Sequence, residues 1–263
     1  MNMGKEYVFL EKKGEIATLY INRPDKKNAL NFAMWHSIPN LLNQAEHDDE
    51  IKVLIIRGID KTAFAAGADI SEFTTLRSTA EGESIYNEAV SQAEESLSQF
   101  SKPTIAMVQK YCIGGGSLLA LACDLRFSSE SGIFGITPAK LGIVYSFFGT
   151  KRLVDLVGPA RAKDILYSGR NIDAQEAYHY GLIDRIYSED EIEANTYEYA
   201  QTLVRRSQKT IKGAKKIIGE IMNGIMQPST EIQQLLDGSY ESEDYKEGVK
   251  AFLEKRPPNF VEI

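Results

Sequence analysis

Residues 111–123, YCIGGGSLLALAC, set three glycines between an extended run and an apolar stretch with the composition of a buried helix start. Upstream, residues 103–109 (PTIAMVQ) read as a short buried strand, β-branched and mostly apolar. Gly114, Gly115 and Gly116 therefore fall at a helix N-terminus, where the first main-chain N–H groups lack intrahelical partners. The helix dipole favours negative charge there, and missing β-carbons let a ligand approach the main chain closely. A developing oxyanion is one charge such a turn can hold. A glycine cluster before a helix also serves as a plain tight turn, so a second donor is needed. Residues 64–73, FAAGADISEF, offer one: they follow a strand at 53–57 and expose a main-chain N–H before Asp69 caps a short helix. Two converging donors are the minimal oxyanion hole for a thioester whose carbonyl becomes an enolate.

Other chemistries lack their residues. His36, His47 and His179 are scattered without metal-ligand spacing, and no serine sits in a Gly-x-Ser-x-Gly setting. The glycine triplet matches neither the dinucleotide fingerprint nor the phosphate loop, so metal and nucleotide chemistry drop out. A net charge of −7 argues against a nucleic-acid surface. Cys112 and Cys123 lie in apolar company and read as buried free thiols, which suits a reducing compartment. The chain has no apolar run of membrane length, and its first residues, MNMGKEYVFL, lack the apolar core of a secretion signal. These features point to the cytoplasm and to no membrane partner.

The elements that must hold the two turns follow from periodicity. Strands are expected at 7–10, 16–21, 51–57, 103–109, 124–128, 133–136 and 182–186. Asn31 should cap a helix bearing Phe32, Trp35, Ile38, Leu41 and Leu42 on one face, with Pro39 bending or interrupting it. Residues 78–100 form an amphipathic helix with Tyr86, Val90, Ala93, Leu97 and Phe100 inward; Glu81, Glu83, Glu88, Glu94 and Glu95 fall to its wet face. Helical patterns follow at 147–157, 160–167 and 174–180, and everything after Glu189 is helical, broken near 209–213 and at Pro228. This order gives an α/β part over residues 1–195 and a helical part over 196–263. The pattern alone leaves open a doubly wound sheet or a coiled β-β-α arrangement.

An ordered set of short segments resembles the crotonase superfamily of enoyl-CoA hydratases, isomerases and decarboxylases. It runs nearly end to end: Asn22-Arg23-Pro24 with Asn28-Ala29-Leu30, residues 64–70, Lys102-Pro103, the glycine triplet, Cys123-Asp124, Phe134-Gly135, Gly149-Thr150, Gly181-Leu182 and residues 251–260. The resemblance implies a spiral of β-β-α turns with a C-terminal helical region for trimer contacts, many members pairing trimers into hexamers. It implies that the N–H groups of Ala68 and Gly115 form the oxyanion hole. Coenzyme A then enters as part of the substrate, with no permanently bound cofactor or metal. Lys26, Lys27, Ala29 and Ala66 line its path, joined by Phe252 and Lys255, often from a neighbouring subunit.

The chain departs from the hydratase pattern where the acid–base groups belong. Hydratases place one glutamate two residues after the glycine triplet and another after the Phe-Gly strand; here those positions hold Leu118 and Pro138. Neither moves a proton, and the nearest carboxylates in sequence, Asp124 and Glu130, have no pattern reason to face the site. Residues 137–145, TPAKLGIVY, resemble instead the methylmalonyl-CoA decarboxylases, although those have His at the position of Ala68 and keep Glu at that of Leu118. Loss of CO₂ from a malonyl-type thioester needs the oxyanion hole but no initiating base. Thr137 and Tyr145 can then hold the carboxylate, with Tyr145 or water protonating the enolate. The sequence reading is therefore decarboxylation of a small malonyl- or methylmalonyl-type acyl-CoA, with an enoyl-CoA hydratase or isomerase as alternative and an inert acyl-CoA-binding protein as third.

Overall fold

The computed structural model describes residues 6–260 of the 263, so the first five residues of the stretch read for a leader lie outside it. β1 (Val8–Lys13) and β2 (Ile16–Ile21) form an antiparallel hairpin, followed by α1 (Phe32–Glu46). One unit then repeats: a strand in each of two sheets, and a helix. The first is β3 (Val53–Gly58), β4 (Ala63–Ala65) and α2 (Ala80–Ser98); the second β5 (Thr104–Val108), β6 (Tyr111–Ile113) and α3 (Gly115–Ala122). The third is β7 (Leu125–Ser129), β8 (Ile133–Gly135) and α4 (Phe147–Ser168), after which come β9 (Asn171–Asp173), α5 (Ala174–Tyr180) and β10 (Arg185–Tyr187). The large sheet has the order β1-β2-β3-β5-β7-β10 and is parallel beyond the hairpin; the small one runs β4-β6-β8-β9, with only β9 antiparallel. This is the coiled β-β-α arrangement.

A parallel sheet is covered on both faces, and its strands read as nearly continuous apolar runs. All six residues of β3 are buried. Its alternation sends Leu54 and Ile56 into the main core, with Trp35, Ile38, Leu97 and Val108. Val53 and Ile55 pack the other way, with Ile105, Met107 and Phe127, against α6 (Ile192–Val204). Lys102 is buried because its ammonium donates to Ala45 O at 2.7 Å and Asp48 O at 2.8 Å, closing the C-terminal end of α1.

Of the bend or interruption expected at Pro39, the interruption does not occur: α1 runs through it. Met34, Trp35 and Ile38 are buried before the proline and Leu42 and Ala45 after it, so burial of one continuous face outweighs a proline penalty of about 3 kcal/mol. The C-terminal break also moves. Residues 209–213 lie inside α7 (Gln208–Met222), and the chain turns earlier, where the Ser207 hydroxyl accepts from Thr210 N and caps that helix. Gly213 is a packing residue, since a β-carbon there would come within 2.7 Å of Leu235 Cδ2 on α8 (Thr230–Ser239). α9 (Glu243–Glu254) completes the lobe, and α7, α8 and α9 enclose an apolar cleft of about 690 Å³. No described helix is long and apolar enough to cross a membrane.

Candidate active site

Three neighbouring parallel strands end at one edge of the small sheet. Ala65 pairs with Cys112, and Ile113 with Gly135, so the loops leaving β4, β6 and β8 open side by side. Clefts at the carboxyl ends of parallel strands are where such folds gather function. These loops carry Ala68, Gly115 and residues 137–145.

Ala68 forms an isolated parallel bridge with Leu30, and the bonds of that bridge belong to its neighbours. Leu30 N donates to Gly67 O at 2.7 Å and Asp69 N to Leu30 O at 2.8 Å, which turns the N–H of Ala68 to the opposite side. Gly115 is the first residue of α3, where helix geometry supplies no acceptor. Neither N–H has a partner among the described residues. The two are adjacent: a β-carbon on Gly115 would lie 3.6 Å from Ala68 N, against the Trp35 ring. Gly114 makes the turn at φ 52° and ψ −108°, a conformation side chains disfavour, with its N–H tied to Gly135 O at 2.8 Å. Gly116 is required by proximity, as a β-carbon there would meet Ala65 O at 2.4 Å. The Ser117 hydroxyl, 2.9 Å from Cys112 O and 3.0 Å from Gly135 O, ties α3 to both strands.

A second loop is laced onto the first. Lys27 and Asn28 are left-handed at φ 49° and 56°; Ala66 N donates to Lys27 O at 3.0 Å, and the Asn28 amide to Ala63 O at 2.6 Å. Arg23 donates to Ala29 O at 3.1 Å and pairs with Asp69 at 2.6 Å. Hydrogen bonds from Ser71, together with Arg23, hold the Asp69 carboxyl down at about 2 despite its burial. Lys26, Lys27, Ala29 and Ala66 are thereby collected beside Ala68. Lys26 and Lys27 are exposed and unpaired with carboxylates among the described residues, and the Lys27 ammonium stands 4.6 Å over the Tyr111 ring.

One turn beyond Gly115 on α3, Leu118 packs against the start of α4. A β-carbon at Gly149 would meet Leu118 Cδ2 at 2.6 Å and Tyr145 Cε1 at 2.9 Å, so these side chains converge on the first turn of α4. The Tyr145 hydroxyl is buried there with no hydrogen-bond partner among the described residues. Burial pushes its pKa well above the ordinary value, reinforced by Glu94, so it stays a protonated donor. Glu94 corrects the sequence reading. It is 3% exposed, not on a wet face, and its Oε1 accepts from Arg152 Nη1 at 3.0 Å. Burial pushes this carboxyl up to about 7, with Arg152 opposing. The signal was in the spacing, since position 94 is four residues after Val90 and three before Leu97, both inward residues.

Not every expected residue joins this group. Thr137 leads a 3-10 turn at Pro138–Lys140, makes no cap bond and lies beside Gly169, the C-cap that follows the kink of α4 at Gly158. Phe252 is 82% exposed and lines the C-terminal cleft, and Lys255 is the left-handed C-cap of α9, past the helix face it was expected to share. Asp124 is structural: one of its oxygens accepts from Thr104 N and Oγ1 and pairs with Lys215 at 2.8 Å.

Comparison with known proteins agrees along the whole chain. The family model described as enoyl-CoA hydratase/isomerase matches residues 11–262. A crotonyl-CoA hydratase of Syntrophomonas wolfei is 34% identical over 98% of this chain and 99% of its own. A short-chain-enoyl-CoA hydratase of Clostridium acetobutylicum is 33% identical over 95% of each. The solved structure of an enoyl-CoA hydratase/isomerase family protein from Hyphomonas neptunium superposes with a TM-score of 0.95 at 38% identity, over 98% of both chains.

Proposed function

This chain belongs to the enoyl-CoA hydratase/isomerase family, the crotonase superfamily, and from that premise we propose that it binds a short acyl-CoA by its thioester oxygen and carries it through an enolate. The observation that carries this reading is the pair of adjacent, unpartnered N–H groups of Ala68 and Gly115. Two such donors in a site shielded from water stabilise the charge that develops on oxygen as the enolate forms. Lys26 and Lys27 meet the phosphates of coenzyme A, and Ala29 and Ala66 flank its pantetheine arm. Phe252 and Lys255 complete the site from a neighbouring copy in a homotrimer or pair of trimers. No cofactor other than the coenzyme A of the substrate takes part.

For the reaction, hydration of a short enoyl thioester comes first. The hydratase names of two relatives support it, and buried Glu94 and Tyr145 supply ionisable groups that the pattern at positions 118 and 138 omits. Decarboxylation of a malonyl- or methylmalonyl-type thioester is the second reading. Leu118 and Pro138 favour it, because neither would repel a substrate carboxylate and no initiating base is needed. Incubation with crotonyl-CoA and methylmalonyl-CoA, followed by mass spectrometry, separates the two. Gain of water by the first supports hydration, loss of CO₂ from the second supports decarboxylation, and binding without change of either supports an inert acyl-CoA-binding protein.

A further inference from the structure

The chain that follows Ala68 is a strap. Residues 69–79 run from that donor to the start of α2 through two short 3-10 turns, Ile70–Glu72 and Leu76–Ser78. Asp69 fastens the near end to Arg23. Glu72 fastens it to α1, where its carboxylate accepts from Phe32 N at 2.8 Å and satisfies a donor of the first helical turn. Arg77 fastens the far end. Its guanidinium lies between two rings, with Cζ 4.0 Å from the Phe73 centroid and 4.5 Å from the Tyr86 centroid. Its Nε and Nη2 donate to the two carboxylate oxygens of Glu83 at 2.7 and 2.5 Å. A flat guanidinium can stack on two faces while gripping a carboxylate in its own plane, which an ammonium cannot do.

Starting α2 does not require this cation. The Thr79 hydroxyl already caps the helix by accepting from Gly82 N at 3.1 Å, and a positive charge at a helix N-terminus opposes the dipole. What Arg77 touches leads instead toward both donors of the site. Phe73 belongs to the strap that begins beside Ala68. Tyr86 is buried, and its hydroxyl accepts from Trp35 Nε1 at 3.1 Å, which fixes the plane of the indole. The benzene ring of that indole backs Gly115, since a β-carbon there would lie 2.9 Å from Trp35 Cζ2. One guanidinium is thus linked to both turns, through Phe73 to the segment of Ala68 and through Tyr86 and Trp35 to Gly115.

We propose that Arg77 is a positioning residue for the thioester: its stack with Phe73 and Tyr86 keeps the N–H groups of Ala68 and Gly115 aimed at one oxygen. This rests on the reading of those N–H groups as the donors to the thioester, and it serves hydration and decarboxylation alike. A hydrogen bond weakens steeply with angle. A small rotation of either turn therefore costs a developing oxyanion more than it costs the neutral carbonyl of the bound substrate.

The test is the carbonyl stretch of butyryl-CoA labelled with carbon-13 at the thioester carbon, read by difference infrared spectroscopy, together with its Kd and with turnover of the reactive substrate. Two donors on the oxygen lower the frequency of the bound thioester below that of the free one. Arg77→Lys keeps the charge and loses the stack. Its band should return part of the way to the free position, and turnover should fall roughly 10-fold while Kd stays within about twofold. Tyr86→Phe keeps a ring face for Arg77 and removes the acceptor of the indole N–H. It should give a smaller loss in the same direction, about threefold, and it decides the question if the lysine variant does not fold. A wild-type band with wild-type turnover in the deciding variant overturns the proposal alone. So does a loss of affinity as large as the loss of turnover with the band unmoved, which marks a general loosening of the fold. Absence of binding, or binding without a lowered band, in the wild type overturns the donor reading and the proposal together.

Discussion

Replacing Tyr145 by phenylalanine should move stability and activity in opposite directions. The hydroxyl is buried without a hydrogen-bond partner among the described residues, and a polar group in that state costs roughly 1–3 kcal/mol. Tyr145→Phe removes it while keeping the ring that packs on Leu118 and Gly149. For a chain of 263 residues each kcal/mol corresponds to about 2 °C, so the unliganded melting temperature should rise by ~2–6 °C. Turnover of the thioester substrate should fall about 100-fold, the usual contribution of one positioned proton donor. It should stay well above background, since a side-chain change at 145 leaves the N–H groups of Ala68 and Gly115 in place. Scanning calorimetry without ligand and a spectrophotometric turnover assay measure the two quantities on one preparation. Misfolding lowers both, so a gain in one with a loss in the other has no trivial origin. A lower melting temperature would mean that the hydroxyl is satisfied in the folded protein. A higher one with full turnover would mean that it takes no part in the chemistry.

Glu94 should leave a mark on the pH dependence of stability. Its carboxyl rises from 4.5 to about 7 on folding, so between those values the native chain holds a proton that the unfolded chain has released. Stability therefore falls as pH rises through this window and the whole penalty, on the order of 3 kcal/mol, is present above it. Glu94→Gln should flatten that slope in urea titrations from pH 4.5 to 8, and an identical slope in both proteins would refute the burial argument. Gly116→Ala should lower the urea midpoint by the equivalent of ~1–3 kcal/mol or more, because its methyl group meets the main-chain oxygen of Ala65 at 2.4 Å; an unchanged midpoint would show that the two segments can part. The double change Lys26→Ala with Lys27→Ala should weaken coenzyme A binding roughly fivefold at low salt and little at high salt, measured by calorimetric titration. Equal affinity at low salt would remove both residues from the binding site.

Much of this was written locally in the chain. The two turns were legible because the demands of the main chain there, a left-handed residue at Gly114 and a close approach at Gly116, leave glycine as the residue that fits. The buried strands were legible because parallel strands covered on both faces have no polar alternation to confuse. β4 (AFA) and β9 (NID) were not, since each carries one large apolar residue, whereas the equally short β8 (IFG) continues into Ile136. Pro39 misled because local propensity was weighed without the apolar face that α1 buries on either side of it. Glu94 misled in the opposite sense: residue type suggested solvent where helical spacing suggested the interior, and its partner Arg152 is 58 residues away on another helix. Ion pairs across such distances leave no local trace.

The two donors of the site belong to the peptide backbone, and Ala68 and Gly115 have almost no side chains to lose. The turns that aim them are tied to Gly135, Leu30 and Ala65, residues other than those at positions 118, 138 and 145. If these donors hold the thioester as proposed, inheritance can rewrite the chemistry one codon at a time while that grip passes down unaltered. A lineage built on this frame need never cross a generation that cannot hold its substrate, so related chains can come to catalyse different reactions by steps that each keep the substrate bound.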